Sequence, residues 1–245
     1  MSALARCSAV FAMTLVGTAW AVGGGTQAPA GEPRTDEGAR LYEVGCTSCH
    51  GVEGKGVEGR GPSLAEAGAA SADFYLTSGR MPMDSPRGQT RRKPPAYSPE
   101  EIDALVAYVA SLGDGPAIPD VDPDDGDLAD GQQLYTANCA ACHSSAGVGG
   151  AVGQEVYAPP VTPATARQVA EAVRIGPGAM PAFGPGTLDD EGLASIQRYT
   201  EYLDDPEDPG GAPLGRLGPV PEGMVAWIAG AGALVVVARW LGARR

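Results

Sequence analysis

Cys46-Thr47-Ser48-Cys49-His50 and Cys139-Ala140-Ala141-Cys142-His143 are two copies of C-x-x-C-H. At that spacing two thiols add across the two vinyl groups of one haem, and the adjacent His turns a ring nitrogen to the iron. One copy alone would equally suit a redox dithiol or half a zinc site. Two copies in matching contexts, with no further Cys or His nearby to complete a zinc tetrahedron, point to two covalently bound haem c groups.

The remaining iron ligands follow from a census. The chain has two His, both inside the motifs, so neither iron has a second His from this chain. Lys is confined to Lys55 and Lys93. Met is the usual sixth ligand of an electron-carrying c-type haem, because the thioether favours reduced iron and raises the potential. Of six Met, Met1, Met13 and Met224 lie in or beside apolar terminal stretches, which leaves Met81, Met83 and Met180. Met180 and Met81 are each followed by Pro, which biases the residue before it toward extended backbone and stiffens the loop. His50 with Met81, and His143 with Met180, are therefore the expected axial pairs, with Met83 as the alternative to Met81. A Met that merely fills a gap in the core is the competing reading for all three.

The elements that must position these residues occur twice. Gly38-Ala39-Arg40-Leu41-Tyr42 precedes the first motif, and Gly131-Gln132-Gln133-Leu134-Tyr135 precedes the second at the same offset. After each motif come a Gly-rich loop, an Ala-rich helical patch, the Met-Pro loop and a last amphipathic helix. In the first unit that helix opens on Ser98-Pro99-Glu100-Glu101, a capping box with Pro at the first helical position. Ile102, Leu105, Val106, Val109 and Leu112 make its apolar stripe, and Gly113 is expected to stop it. In the second unit Thr187 to Asp190 is a weaker cap, with Leu193, Ile196, Thr200 and Leu203 on the matching face. The fold expected is all-α: a haem-wrapped domain used twice. Aromatic residues are only 6% of the chain, and haem would supply the missing apolar bulk.

The expected organisation is a signal peptide or N-terminal anchor over 1–25, haem domains over 34–114 and 128–205, an acidic linker over 115–127, a Pro/Gly tether over 206–222 and a membrane helix over 223–241. Asp114 to Asp130 holds seven Asp among three Pro, a composition that reads as a solvated linker, with a calcium loop as a weaker alternative because Gly126 falls one place late for it. At the N-terminus Arg6 precedes an apolar run ending in Ala19-Trp20-Ala21, an A-x-A-like cleavage site, and Cys7 within it is read as a bystander. At the C-terminus, Gly223 to Leu241 is long enough for a bilayer core of about 30 Å. Trp227 and Trp240 suit its two interfaces, and Arg239, Arg244 and Arg245 place the C-terminus in the cytoplasm and the haem domains outside.

Setting aside Arg6, Arg239, Arg244 and Arg245 leaves 13 basic residues against all 30 acidic ones, which argues against a nucleic-acid partner. One stretch reverses that sign: Arg80, Arg87, Arg91, Arg92 and Lys93 flank the first Met loop, open to haem propionates, an acidic partner or plain solvent.

Gly61-Pro62-Ser63-Leu64, Gly79-Arg80-Met81-Pro82, Arg92-Lys93-Pro94-Pro95, Gly115-Pro116-Ala117-Ile118-Pro119, Tyr157-Ala158-Pro159, and Gly218-Pro219 through Trp227 resemble the dihaem cytochrome c subunit of the actinobacterial-type quinol–cytochrome c reductase, the bcc complex. The resemblance runs from about residue 36 to the C-terminus. It implies two tandem class I cytochrome c domains beside a cytochrome b and a Rieske iron–sulfur subunit. It implies electron flow from the Rieske cluster to the haem at Cys46 and Cys49, then to the haem at Cys139 and Cys142, then to a terminal cytochrome oxidase in the same supercomplex. It also implies that the Pro62 and Pro159 carbonyls face the imidazoles of His50 and His143. No quinone-site signature stands out, so quinol oxidation would belong to a partner subunit. A dihaem carrier serving another dehydrogenase, and a dihaem peroxidase with an open iron site, are the rival readings.

Overall fold

The computed structural model describes residues 32–85, 88–153, 156–207 and 219–243. The expected N-terminal signal or anchor with Arg6 and Cys7, most of the 206–222 tether, Arg87, and the terminal Arg244 and Arg245 lie outside the described residues.

Helix α1 (Glu32–Gly45) runs into the single turn α2 (Thr47–His50), which carries the end of the first motif. After a loop come α3 (Gly68–Thr77) and α4 (Pro99–Ala110). The second unit repeats this order with α5 (Leu128–Asn138), the turn α6 (Ala140–His143), α7 (Ala166–Ile175) and α8 (Asp190–Asp204). In each unit the last helix packs back across the first: α4 on α1, and α8 on α5.

Two glycines allow those crossings. A Cβ on Gly38 would stand 2.0 Å from the Ala104 carbonyl oxygen, and one on Gly131 would stand 2.0 Å from that of Ser195. One helical turn later, Tyr42 and Tyr135 are buried, and their hydroxyls donate to the carbonyls of Gly51 and Ser144, each at 2.9 Å. Each entry helix is thereby tied to the residue that follows the motif His. Tyr108 and Tyr199, on the returning helices, pack against these rings with centroids 5.1 and 5.3 Å away.

Helix α4 begins on the expected capping box, with Ser98 and Glu101 each bonding the other's backbone N–H. It buries Ile102, Leu105, Val106 and Val109 but ends at Ala110, two residues earlier than the apolar stripe to Leu112 suggests. Leu112 therefore lies past the helix, beside Gly54, and Gly113 serves a close approach to the Ala65 carbonyl. Helix α8 is capped by Asp189, whose carboxylate accepts from Gly192 N at 2.9 Å. It buries Leu193, Ile196 and Thr200 as expected, together with Ser195 and Gln197. The Ser195 hydroxyl accepts from Asp127 N and Gln197 Nε2 donates to the Ala166 carbonyl, while Gln197 Oε1 has no partner among the described residues.

Two features depart from the expected pattern. Strands β1 (Gly150–Gly153) and β2 (Val156–Ala158) form a short antiparallel hairpin after the second motif. At the matching place the first unit has a lone bridge between Val57 and Gly61. The acidic stretch between the units is also less free than its composition suggests. The Pro116 carbonyl accepts from Ala70 N, while Ile118 packs on the first core and Val121 on the second. Its Asp residues act as caps, with Asp122 on a 3-10 turn and Asp127 accepting from Ala129 N and Asp130 N at the head of α5.

The last helix, α9 (Pro219–Gly242), contains an apolar stretch over Gly223–Gly242 with a mean hydropathy of 1.8, none of it buried against the rest of the chain. Twenty residues at 1.5 Å rise span about 30 Å, the thickness of a bilayer core. Trp227, Ile228, Leu234, Val235 and Trp240 are all exposed. An apolar helix uncovered on every side needs an apolar solvent.

Candidate haem sites at the two motifs

Each motif folds as a break between helices: Cys46 and Cys139 end the entry helices, and the following turn presents the second Cys and the His. Burial pushes the Cys46 and Cys139 thiols up to about 11, and the second Cys of each motif adds to the shift. A redox dithiol needs the opposite, a lowered thiol pKa. The geometry disfavours that chemistry.

The imidazoles are held alike. His50 Nδ1 lies 2.9 Å from the Pro62 carbonyl oxygen, and His143 Nδ1 lies 2.8 Å from that of Pro159. A carbonyl only accepts, so Nδ1 carries the proton and Nε2 keeps a free lone pair. That is the tautomer an iron ligand requires, with its ring orientation fixed by the second bond. These are the two prolines that the family resemblance implies.

The Met residues fall differently. Met180 lines a cavity of about 230 Å³ together with Cys139, Cys142 and His143, and it packs against the second core. Met81 packs with Cys46 on the first core. Met83 is half-buried but is not among the side chains on that cluster. The chain thus brings Met180 to the second motif's site and Met81 to the side of the first core that also holds Cys46.

The second cavity is not built from the second unit alone. Phe74, Arg80, Gln89, Thr90 and Arg92 reach it from the first. Gln89 straddles strand β2, donating to the Tyr157 carbonyl at 2.6 Å and accepting from Tyr157 N at 3.1 Å. Arg92 donates to Gln168, whose amide in turn donates to Thr77 at 3.0 Å. Below these contacts α3 lies on α7, where Arg167 Nε sits 3.0 Å from Asp73 and 3.4 Å from Glu171. Burial, aided by the neighbouring Asp73 carboxyl, pushes Glu171 up to about 9, so it is protonated at neutral pH. The sequence left the Arg cluster open to haem propionates, an acidic partner or solvent, and it carried no sign of the carboxyl pair.

A cytochrome c family model matches residues 35–113, and the model "Cytochrome C oxidase, cbb3-type, subunit III" matches residues 126–199. The chain is 39% identical over 217 residues to the cytochrome bc1 complex cytochrome c subunit of Mycobacterium bovis, covering 84% of this chain and 77% of that one. With its counterpart in Corynebacterium diphtheriae it shares 38% over 227 residues, covering 85% and 80%. The chain belongs to the cytochrome bc1 complex cytochrome c subunits. A cbb3-type cytochrome c oxidase subunit from Azospirillum is a more distant relative, at 32% identity over 68% of this chain. Reduced cytochrome c4 of Pseudomonas stutzeri covers 69% of the chain at 23% identity, with a TM-score of 0.25, too loose a superposition to argue from.

Membership makes the chain a membrane dihaem cytochrome c of the respiratory chain, an electron-transfer subunit of a reductase complex with two covalently bound haem c groups. The residues present suit that cofactor. Two proline-held imidazoles leave Nε2 free, a thioether lines the second site, and a mostly apolar cavity surrounds it.

Proposed function

We propose that this chain takes electrons from a Rieske iron–sulfur protein and hands them to a terminal cytochrome oxidase, standing beside a cytochrome b that performs the quinol chemistry. Haem c, once bound, supplies the one-electron redox chemistry, and the chain's residues set where it happens and at what potential. Cys46 and Cys49 hold the first haem and Cys139 and Cys142 the second. His50 and His143 would hold the irons through Nε2, and Met81 and Met180 would supply sulfur to them. The observation that carries this reading is the pair of equivalent Nδ1-to-proline carbonyl contacts, which leaves both imidazoles in the metal-binding tautomer. A thioether ligand beside the imidazole would raise the potential and fill the iron's coordination, which suits transfer and not peroxide chemistry.

The first site, at 34–114, would face the donor and the second, at 128–205, the acceptor. The acidic surface would steer basic patches on those partners. Helix α9 would cross the membrane with Arg239, Arg244 and Arg245 at the cytoplasmic end, leaving both haem domains on the extracytoplasmic side. Native mass spectrometry of detergent-solubilised membranes tests the assignment. The expected assembly contains a cytochrome b, a Rieske protein and this chain with two haems. Recovery of the chain without a cytochrome b, or with a peroxide-reactive high-spin haem, would overturn it.

A further inference from the structure

The cavity that holds Cys139, Cys142, His143 and Met180 has an unusual charge pattern for so acidic a chain. Among the described residues lining it there is no Asp or Glu, and the two guanidiniums that reach it, Arg80 and Arg92, both come from the first unit. Arg80 is only 9% exposed, and its Nη1 is buried with no hydrogen-bond partner among the described residues. Its planar group lies over the Phe74 ring, 4.8 Å from the centroid, which fixes the side chain without giving Nη1 an acceptor. A buried guanidinium donor left unmatched is costly, so its natural complement is an anion in the cavity it faces. Haem c carries two propionate carboxylates, which are anions of the required kind.

We propose that Arg80, supported by Arg92, binds the propionate carboxylates of the second haem, so that the first domain completes the cofactor site of the second. Guanidinium and carboxylate form charge-assisted, often bidentate bonds, and these are strongest where water is excluded. Arg80 is also the residue directly before Met81, so one short segment serves the first iron with its thioether and the second haem with its cation. Arg92 is held at the cavity's mouth by Gln168 of α7, on the same side of the interface. The second haem then adds to the contacts that already join the two domains, and its potential depends on a residue outside its own domain.

The inference rests on haem c being attached at Cys139 and Cys142, and a haem stain of each variant separates failure of that premise from failure of this one. The test is a redox titration of the full chain in its purified complex, followed by electron paramagnetic resonance. A Met180→His variant identifies the second haem's signal. Arg80→Gln removes a positive charge that favours the reduced state, so the second haem's reduced-to-oxidised ratio should fall about tenfold, a drop of about 59 mV. Arg92→Gln, at a more exposed site that tolerates substitution, should lower it about threefold even if Arg80→Gln fails to mature. Arg80→Lys should restore most of the potential. Arg91→Gln, a neighbour that does not line the cavity, should leave it unchanged. An unmoved second haem, a shift confined to the first haem, or an equal shift from Arg91→Gln would each overturn the proposal.

Discussion

The two haem domains agree wherever the cofactor is gripped and differ wherever something else must be met. Gly38 and Gly131 open equal helix crossings, Tyr42 and Tyr135 make the same 2.9 Å bond, and the imidazoles sit on Pro62 and Pro159 within 0.1 Å of the same distance. Around that shared frame the first unit carries a long cationic loop between α3 and α4, and the second carries the β1–β2 hairpin on which Gln89 of that loop rests. The returning helices differ too: α4 is apolar throughout its buried face, whereas α8 buries Ser195 and Thr200 in hydrogen bonds and Gln197 with only its Nε2 matched. A duplicated domain is constrained where it holds haem and free to change where it meets its twin.

The largest effects should come from the proposed sixth ligands, and they test whether the two sites are equivalent at the iron. Met180→Ala should turn the second haem high-spin and lower its potential on the order of 200 mV, within the roughly 0.8 V that axial ligands span. Met81→Ala should do the same to the first haem alone, and Met83→Ala to neither. An unaltered spectrum in Met81→Ala would move the first ligand to Met83 and break the symmetry. Next in size are the crossings. Gly38→Val and Gly131→Val would each drive a side chain into helix backbone, with a cost of about 3 kcal/mol in thermal unfolding of the haem-loaded protein. Gly186→Val, where a Cβ would meet nothing within 4 Å, should cost almost nothing. Unequal costs at Gly38 and Gly131 would show that one unit has the looser frame.

This division also explains which parts were legible in the sequence. Motif spacing, the Gly-x-x-x-Tyr register before each motif, the Ser98 capping box and the terminal apolar span are local signals, readable without knowing which elements meet. The hairpin is built from Gly150, Ala151 and Val156, a run too short and too glycine-rich to show alternation. The end of α4 at Ala110 escaped because Leu112 continues the apolar stripe while packing from a loop. The linker's Asp residues look like solvated charge until the helix ends they cap are known. The interdomain contacts join residues 68 to 94 positions apart, as with Gln89 to Tyr157 and Asp73 to Arg167, and no local pattern reports such pairs.

The carboxyl pair between α3 and α7 makes the domain interface sensitive to pH, and the sign is fixed by Glu171. Its folded pKa stands near 9, above the roughly 4.3 of an unfolded Glu. The native state therefore holds a proton that the unfolded state has lost, and stability falls as pH rises between those values. Asp73 and Arg167 face the same point, and Arg167 offsets part of the cost of ionisation. Glu171→Gln keeps the neutral shape and removes the titration. It should stabilise the protein by about 1–2 kcal/mol at pH 8 to 9, with little change at pH 5. A variant whose melting temperature keeps the parental pH slope would place the sensitivity elsewhere.

The smallest effect probes the loop that distinguishes the two domains. Gln89 is exposed, yet its amide binds both the N–H and the carbonyl of Tyr157, acting as a one-residue extension of the hairpin. Replacing it with Ala leaves both backbone groups open to water, so the loss should be near the net worth of one solvent-exposed bond, about 0.5–1 kcal/mol. Global stability is too coarse a readout for that. Hydrogen exchange at the Tyr157 amide is not: protection there should fall about fivefold, while the interior amides of α8 should stay unchanged. If the Tyr157 amide kept its protection, the hairpin would hold without the first domain's loop. The contact between the domains would then rest on α3, α7 and the arginines at the haem cavity.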